Sequence, residues 1–279
     1  MDKIMIIVPH EDDEILMAAG IIERAVREKK EVTVVMATNG DYEGTDTVTG
    51  SVRLPETLLG LSVLGLSAEN VIFMGYADTG MENEVSFLYN LFYEKDENKV
   101  HEGHCSKETY GLKDKADFHR EVYGEPGSYT RKNFKEDLRK ILLMKKPDTV
   151  FTTSIEDVHG DHSGLYLFVR EVLEEEKANG YQPVLYSGVA HSKAGDDNWP
   201  LRNPSIVPYT CPDGFDKGSL RWEERISFPV PESMLEADLE KNKKAIALSK
   251  HKTALKEDAV EFLYTFIKSE ELFWEIKEG

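Results

Sequence analysis

Short apolar runs alternate along the chain with stretches in which apolar side chains recur every three or four residues. Residues 5–9 are apolar, residues 15–27 place Ile15, Ala18, Ala19, Ile22 and Val26 at helical spacing, and residues 32–37, "VTVVMA", are apolar again. Short apolar runs predict strands and a 3.6-residue period predicts a helix, so this opening reads as a βαβ unit. The alternation continues with a helix over about 54–66, a strand "NVIFMGY", a helix over about 133–146, a strand "DTVFTTS", a helix over about 163–177 and a strand "PVLYSGVA". Strands separated by helices predict a Rossmann-like α/β fold, a mostly parallel sheet with helices on both faces.

Two regions depart from that rhythm. Residues 82–130 form a polar, Tyr-rich insert that is too long for an ordinary connection and is expected to act as a lid or a specificity region. Beyond His191 a loop rich in Asp, Asn, Pro and Gly leads to a predicted strand "SLRWEERISFPV". An amphipathic helix from near Pro231 and a final helix ending at "FLYTFIKSEELFWEI" complete the C-terminal extension. No internal repeat or low-complexity linker interrupts the chain, so residues 1–279 are expected to form a single domain.

Charge narrows the partners. The 52 acidic side chains outnumber the 34 basic ones for a formal net charge of -18, which repels nucleic acid and anionic lipid. No apolar run reaches the roughly 18 residues that a membrane span requires. The N-terminus shows no basic leader before a cleavable apolar segment. The expectation is a cytoplasmic protein with a small-molecule partner, and a homo-oligomer stays open. Cys105 and Cys211, far apart, make neither a disulfide framework nor a thiolate metal cluster.

In parallel sheets, ligands bind outside the carboxyl ends of the strands. Two unusual stretches fall there. "PHEDDE" follows the first strand and supplies His10, Asp12 and Asp13; "SIEDVHGDHSGLY" follows "DTVFTTS" and supplies His159, Asp161 and His162. Taken singly, a DDE run is an ordinary helix cap and a lone HxxH is often incidental. Joint placement at strand ends on one edge of the sheet favours a site. A divalent ion accounts for the collection, because a catalytic zinc takes three nitrogen or oxygen ligands and leaves a position for water. Two histidines and one carboxylate fit that count, and the remaining Asp and His are then free for proton transfer. Asp161 either orients a histidine or caps the helix that follows.

"PHEDDE" resembles the (P/A)HPDDE motif, and "HGDH" the HPDH motif, of the LmbE-like or PIG-L zinc-dependent N-deacetylases. The resemblance runs to about residue 170, apart from the insert. It implies His10, Asp13 and His162 as ligands of Zn2+ or another divalent transition metal, and Asp12 as general base. It also implies His159 as the group that stabilises the oxyanion or protonates the leaving amine. Asp161, from its place beside His162, is counted among the catalytic candidates without that resemblance. Arg53 in "RLPE" is similar to the family's R-x-x-E, and Asp78 in "GYADTGM" to its substrate loop, so both are expected to bind substrate; otherwise Arg53 would form a surface ion pair with Glu56. Glu11 and Gly160 stand where the family usually has proline, and their side chains are expected to point away from the metal. "KHKTALK" lacks the family's serine-glutamine pair.

The activity implied is removal of an acetyl group from an N-acetylated amine of the N-acetylglucosamine type. Two other readings remain: an amidohydrolase on a non-sugar N-acyl substrate, and a non-catalytic metabolite-binding domain. The second is disfavoured because the first turn has no G-x-G-x-x-G and puts carboxylates where a pyrophosphate would sit.

Overall fold

The computed structural model describes residues 1–215, 218–257 and 259–277. Strand β1 (Lys3–Val8) leads to helix α1 (Asp13–Arg27), β2 (Glu31–Thr38), α2 (Val48–Val63) and β3 (Val71–Tyr76). After α3 (Phe87–Tyr93), α4 (Phe118–Tyr123) and α5 (Arg131–Lys145) come β4 (Thr149–Thr152), α6 (Gly160–Lys177) and β5 (Val184–Ser187). The C-terminal part supplies β6 (Arg225–Pro229), α7 (Lys243–Leu248), α8 (Val260–Tyr264) and β7 (Glu270–Glu275). The sheet runs β3-β2-β1-β4-β5-β7-β6, parallel from β3 to β5 and antiparallel at β7 and β6.

The parallel sheet is buried on both faces, and β1 shows why its sequence is apolar throughout. Ile4, Ile6 and Val8 pack in the core that contains α1, whereas Met5 and Ile7 join the core beneath α3, α5 and α6. Each residue of a strand faces one of two dry layers, so polar alternation disappears. The chain leaves β1 toward β2 on one side and meets β4 on the other, which makes the β1/β4 boundary the topological switch point where ligands bind. Both motif loops open there.

The C-terminal extension departs from expectation. A helix from Pro231 is replaced by one 3-10 turn, Glu232–Met234, and α7 starts only at Lys243. The intervening "LEADLEKN" is exposed except for Asn242, so no apolar stripe can hold it against the core. The expected final helix is instead the short α8 followed by β7, whose residues Glu271–Trp274 are all buried between β5 and β6. Burial of successive residues removes the alternation that would have marked a strand. The strand within "SLRWEERISFPV" is real but limited to five residues at the sheet edge.

Candidate active site

The β1–α1 connection turns sharply. Asp12 adopts φ 130°, ψ -32°, a backbone region that favours glycine, and its carboxylate makes no capping hydrogen bond although it occupies the N-cap position of α1. Capping therefore does not account for this residue. A strained non-glycine conformation costs about 1–3 kcal/mol and persists where its surroundings enforce it, commonly at functional sites. Here the enforcement is the first turn of α1: the amides of Ile15 and Leu16 donate to the Asp12 carbonyl at 2.8 and 2.9 Å, and Glu14 accepts the Asp12 amide at 3.0 Å.

Behind that turn, three atoms converge. His10 Nδ1 lies 3.4 Å from Asp13 Oδ2, His162 Nε2 lies 3.3 Å from the same oxygen, and the two ring nitrogens are 3.3 Å apart. The far side of each ring is held by another carboxylate: His10 Nε2 meets Asp161 Oδ2 at 3.2 Å, and His162 Nδ1 meets Asp157 Oδ2 at 3.1 Å. With those far nitrogens donating, the near nitrogens present lone pairs to each other and to an acceptor-only carboxylate. Such a triangle needs a positive charge at its centre. Two ligands of one tetrahedral ion at about 2.0–2.1 Å lie roughly 3.3–3.4 Å apart, which matches these separations. Carboxylate–imidazole pairs behind the ligand atoms are the usual support of a metal site. The groups His10/His159/His162 and His10/Asp78/Asp161 also bring ligand atoms within 4.8 Å of one another.

The surrounding carboxylates favour protons on the two rings, protons that a bound cation would displace. Burial opposes a charged ring at His10, yet Asp78, Asp13 and Asp161 together hold its pKa well above the usual value. At His162 burial is likewise outweighed, by Asp13 and Asp157, and the pKa rises to about 10. Asp13 is held well below the carboxylate range because His162 and His10 overcome its burial. Its neighbour behaves in the opposite way: burial and the Asp13 charge push Asp12 up to about 6 against the pull of Arg53. Adjacent carboxylates in different surroundings are thus separated into one that stays charged and one poised near neutrality.

His159 caps α6, its Nδ1 accepting the Asp161 amide at 3.2 Å, so the proton resides on Nε2. Burial and the surrounding imidazoles hold its pKa well below the usual value. A neutral ring can donate a hydrogen bond but does not supply the positive charge that a protonated histidine would. Asp161 is fully buried, and its other oxygen accepts from Ser86 Oγ at 2.6 Å and the Leu88 amide at 2.7 Å. It therefore orients His10 and anchors α3 rather than capping α6 or lining the cleft. Gly160 makes this anchoring possible: a Cβ there would lie 2.3 Å from Ser86, and its amide, absent in a proline, donates to the Met81 carbonyl at 2.7 Å.

A cleft of about 440 Å³ opens onto His10, Asp12, Asp13 and His159, with Arg53 and Asp78 on its walls. Arg53 forms no pair with Glu56, whose carboxylate instead accepts from the amide and hydroxyl of Thr253 at 3.1 and 2.6 Å. Its guanidinium reaches the carbonyls of Gly40 and Glu11 at 2.8 and 3.0 Å, the Glu11 carboxylate at 3.3 Å and Asp12 at 3.9 Å. Glu11 thus does point away from the metal-type triangle, into a buried position against Arg53, where burial pushes its pKa up to about 8. The carboxylate of Asp78 approaches His10 Nε2 at 3.7 Å and accepts the Gly80 amide, so it fixes its own turn and also faces the site.

The remaining cleft wall comes from the C-terminal segment, where Thr253, Ala254, Lys256, Ala259, Phe262 and Leu263 line it. No residue of 82–130 lines it, among those described. The insert works from behind: Tyr110 Oη donates to Asp41 Oδ2 at 2.8 Å, and Asp41 Oδ1 accepts the Asp78 amide at 2.9 Å. Sequence reasoning also missed Asp157 and His191. Asp157 lies just upstream of a motif already in hand. His191 had a usable signal, since it follows the carboxyl end of β5 on the edge where the motif loops open.

The fold and this cluster define an α/β protein with a candidate metal centre at the switch point of its sheet. Residues 5–173, more than half of the chain, match the PIG-L family, described as GlcNAc-PI de-N-acetylase, and the chain belongs to that family. A sequence search of curated proteins returned no match. Among solved structures, the chain is similar to N,N'-diacetylchitobiose deacetylase from Pyrococcus horikoshii, with 15% identity and TM-score 0.53 over 99% of this chain and 84% of that one. It is similar to the A40926 pseudoaglycone deacetylase Dbv21, with 16% identity and TM-score 0.57 over 98% and 96%. It is also similar to GalB, the 4-carboxy-2-hydroxymuconate hydratase from Pseudomonas putida KT2440, with 13% identity and TM-score 0.50 over 100% and 98%. At such identities these likenesses show the fold.

Proposed function

We propose that the protein is a divalent-metal-dependent N-deacetylase that releases acetate from an N-acetylated amino sugar. The observation that carries this reading is the triangle of His10 Nδ1, Asp13 Oδ2 and His162 Nε2, with Asp12 beside it and not used in it. Those three residues would hold the ion, and their nitrogen and oxygen donors suit zinc. A bound divalent ion would polarise the acyl oxygen and acidify a water molecule. Asp12, with a pKa of about 6, is largely ionised at neutral pH; it takes a proton from the attacking water and passes it to the amine nitrogen as the C–N bond breaks. His159 donates from Nε2 to the developing oxyanion as a neutral hydrogen-bond donor. Arg53 and Asp78 supply a donor and an acceptor for the hydroxyls of a sugar, and the deacetylases among the similar folds include one whose name specifies diacetylchitobiose.

The similarity to GalB keeps a hydratase in view, since the same fold also serves water addition to an unsaturated acid. Family membership favours amide hydrolysis. The test is acetate release from N-acetylglucosamine-type amides by protein purified without chelators, with metal content measured alongside. Wild type should carry close to one divalent ion per chain. Asp12→Asn should keep that ion and lose on the order of 10²- to 10⁴-fold in turnover, whereas Asp13→Ala and His162→Ala should lose the ion. Equal loss of metal in all three would refute the division of roles, and water addition without acetate release would refute the deacetylase.

A further inference from the structure

The cleft is chemically lopsided. His10, His159 and His191 form a row of rings with successive centroids 4.5 and 5.8 Å apart. Asp78 lies at the His10 end, 3.7 Å from Nε2, and at the other end His191 stacks on Phe262 with centroids 5.0 Å apart and planes 20° apart. The C-terminal segment crosses between the ends. Thr253 is fastened to Glu56 and Lys256 to Glu43, while Phe262 and Leu263 reach the His191 side. The main chain of His191 is fixed by Asp157, which accepts its amide at 3.0 Å and also holds His162 at 3.1 Å. The aromatic wall is thereby set at a defined distance from the reacting centre.

Resting on the reading of the site as an N-deacylase, we propose that His191 and Phe262 form the acyl-side wall and set the length of acyl group that the site accepts. An N-acyl sugar has one apolar end and one rich in hydroxyls. Placing the acyl methyl against Arg53 and Asp78 would set hydrocarbon against two charged groups and keep water from them, while placing hydroxyls against Phe262 would strip them of water without replacement. The opposite orientation satisfies both ends. The wall then limits extension of the chain, and each added methylene that meets a fixed wall is worth on the order of 10- to 200-fold in discrimination.

The test compares N-butanoyl- with N-acetylglucosamine as substrates, and butyrate with acetate as ligands of the metal-loaded protein in calorimetry. Phe262→Ala should raise the butanoyl-to-acetyl ratio of kcat/KM by about tenfold or more and shift the butyrate-to-acetate affinity ratio the same way. Phe262→Trp should lower both ratios. Phe262→Leu, which keeps an apolar side chain against Phe266, whose ring centroid lies 5.4 Å from that of Phe262, should shift them as alanine does but less, so a folding defect of the alanine variant does not shelter the idea. Unchanged ratios with a common rise in KM for both amides would show that the wall faces the carrier, and would overturn the proposal. If wild type hydrolyses neither amide while the carboxylate affinities shift as stated, the wall stands and the deacetylase reading falls.

Discussion

Asp157 shows how much of the site depends on a residue outside the cleft. Its Oδ2 holds His162 Nδ1 at 3.1 Å and accepts the amides of Ala190 and His191 at 2.8 and 3.0 Å, while Oδ1 accepts the His159 amide at 3.0 Å. One buried carboxylate therefore fixes the orientation of His162, a proposed metal ligand, and the loop after β5 together. Asp157→Asn removes the charge and should weaken metal affinity by about 10- to 100-fold, the usual effect of losing such a supporting partner. A competition titration against a chelator checks this, and an unchanged affinity would leave Asp157 with a packing role alone. Asp12 poses a different question at the same scale, because its φ of 130° suits glycine. Asp12→Gly should therefore be more stable than Asp12→Ala by about 1 kcal/mol or more, with both inactive. Urea unfolding of the two variants measures the difference; equal stability would mean that the turn is not strained.

At the scale of elements, the βαβ units and the two motif loops were legible in the sequence because their signals are local. Apolar runs, helical spacing and the His and Asp residues within each motif are each read from neighbouring positions. What was not legible depends on partners far along the chain. β7 reads as a helix because its buried faces meet β5, β6 and α1, and nothing in "SEELFWEI" announces them. The insert likewise discloses its role only through contacts with distant parts of the chain, among them α6, β3 and α5. In that region Tyr76 Oη donates to Asp137 Oδ2 at 2.9 Å, and His119 of α4 meets the same carboxylate at 3.0 Å. Burial pushes the Asp137 pKa up to about 6, although His119 and Tyr76 oppose it. A carboxyl whose folded pKa exceeds its unfolded value binds a proton more readily when folded. Its contribution is fully present below the unfolded value of 3.8 and is lost as pH rises through about 6. The stability of wild type relative to Asp137→Asn should accordingly fall across that window, by at most roughly 3 kcal/mol. Urea titrations at pH 4, 5, 6 and 7 test the sign, and a difference that is flat or rises with pH would contradict it.

At the scale of the molecule, the family match ends at residue 173, yet the cleft is closed by Thr253, Ala254, Lys256, Ala259, Phe262 and Leu263, and the sheet is completed by β6 and β7. Something must hold this C-terminal third against the α1 half that carries His10 to Asp13. Glu271 of β7 does so from a fully buried position: its oxygens accept the amides of Gly20 and Ile21 in the middle of α1 at 2.8 and 3.0 Å. Lys244 of α7, also buried, donates to Glu271 at 3.1 Å and to the Leu16 carbonyl at 2.8 Å. Three distant segments thus share one ion pair. Burial lowers the Lys244 pKa while Glu271 opposes that shift, so each charge tolerates its position because of the other. Removing one partner leaves the other buried and uncompensated, which should destabilise the protein by about 3–5 kcal/mol. Lys244→Met and Glu271→Gln should each therefore unfold at markedly lower denaturant, and the double variant should be destabilised by less than the sum of the two. Additive losses would show that the pair is not coupled. The site offers a second readout: because α1 begins at Asp13, a weakened pair that lets the helix shift should also lower metal affinity in the single variants, and the double variant should recover part of it.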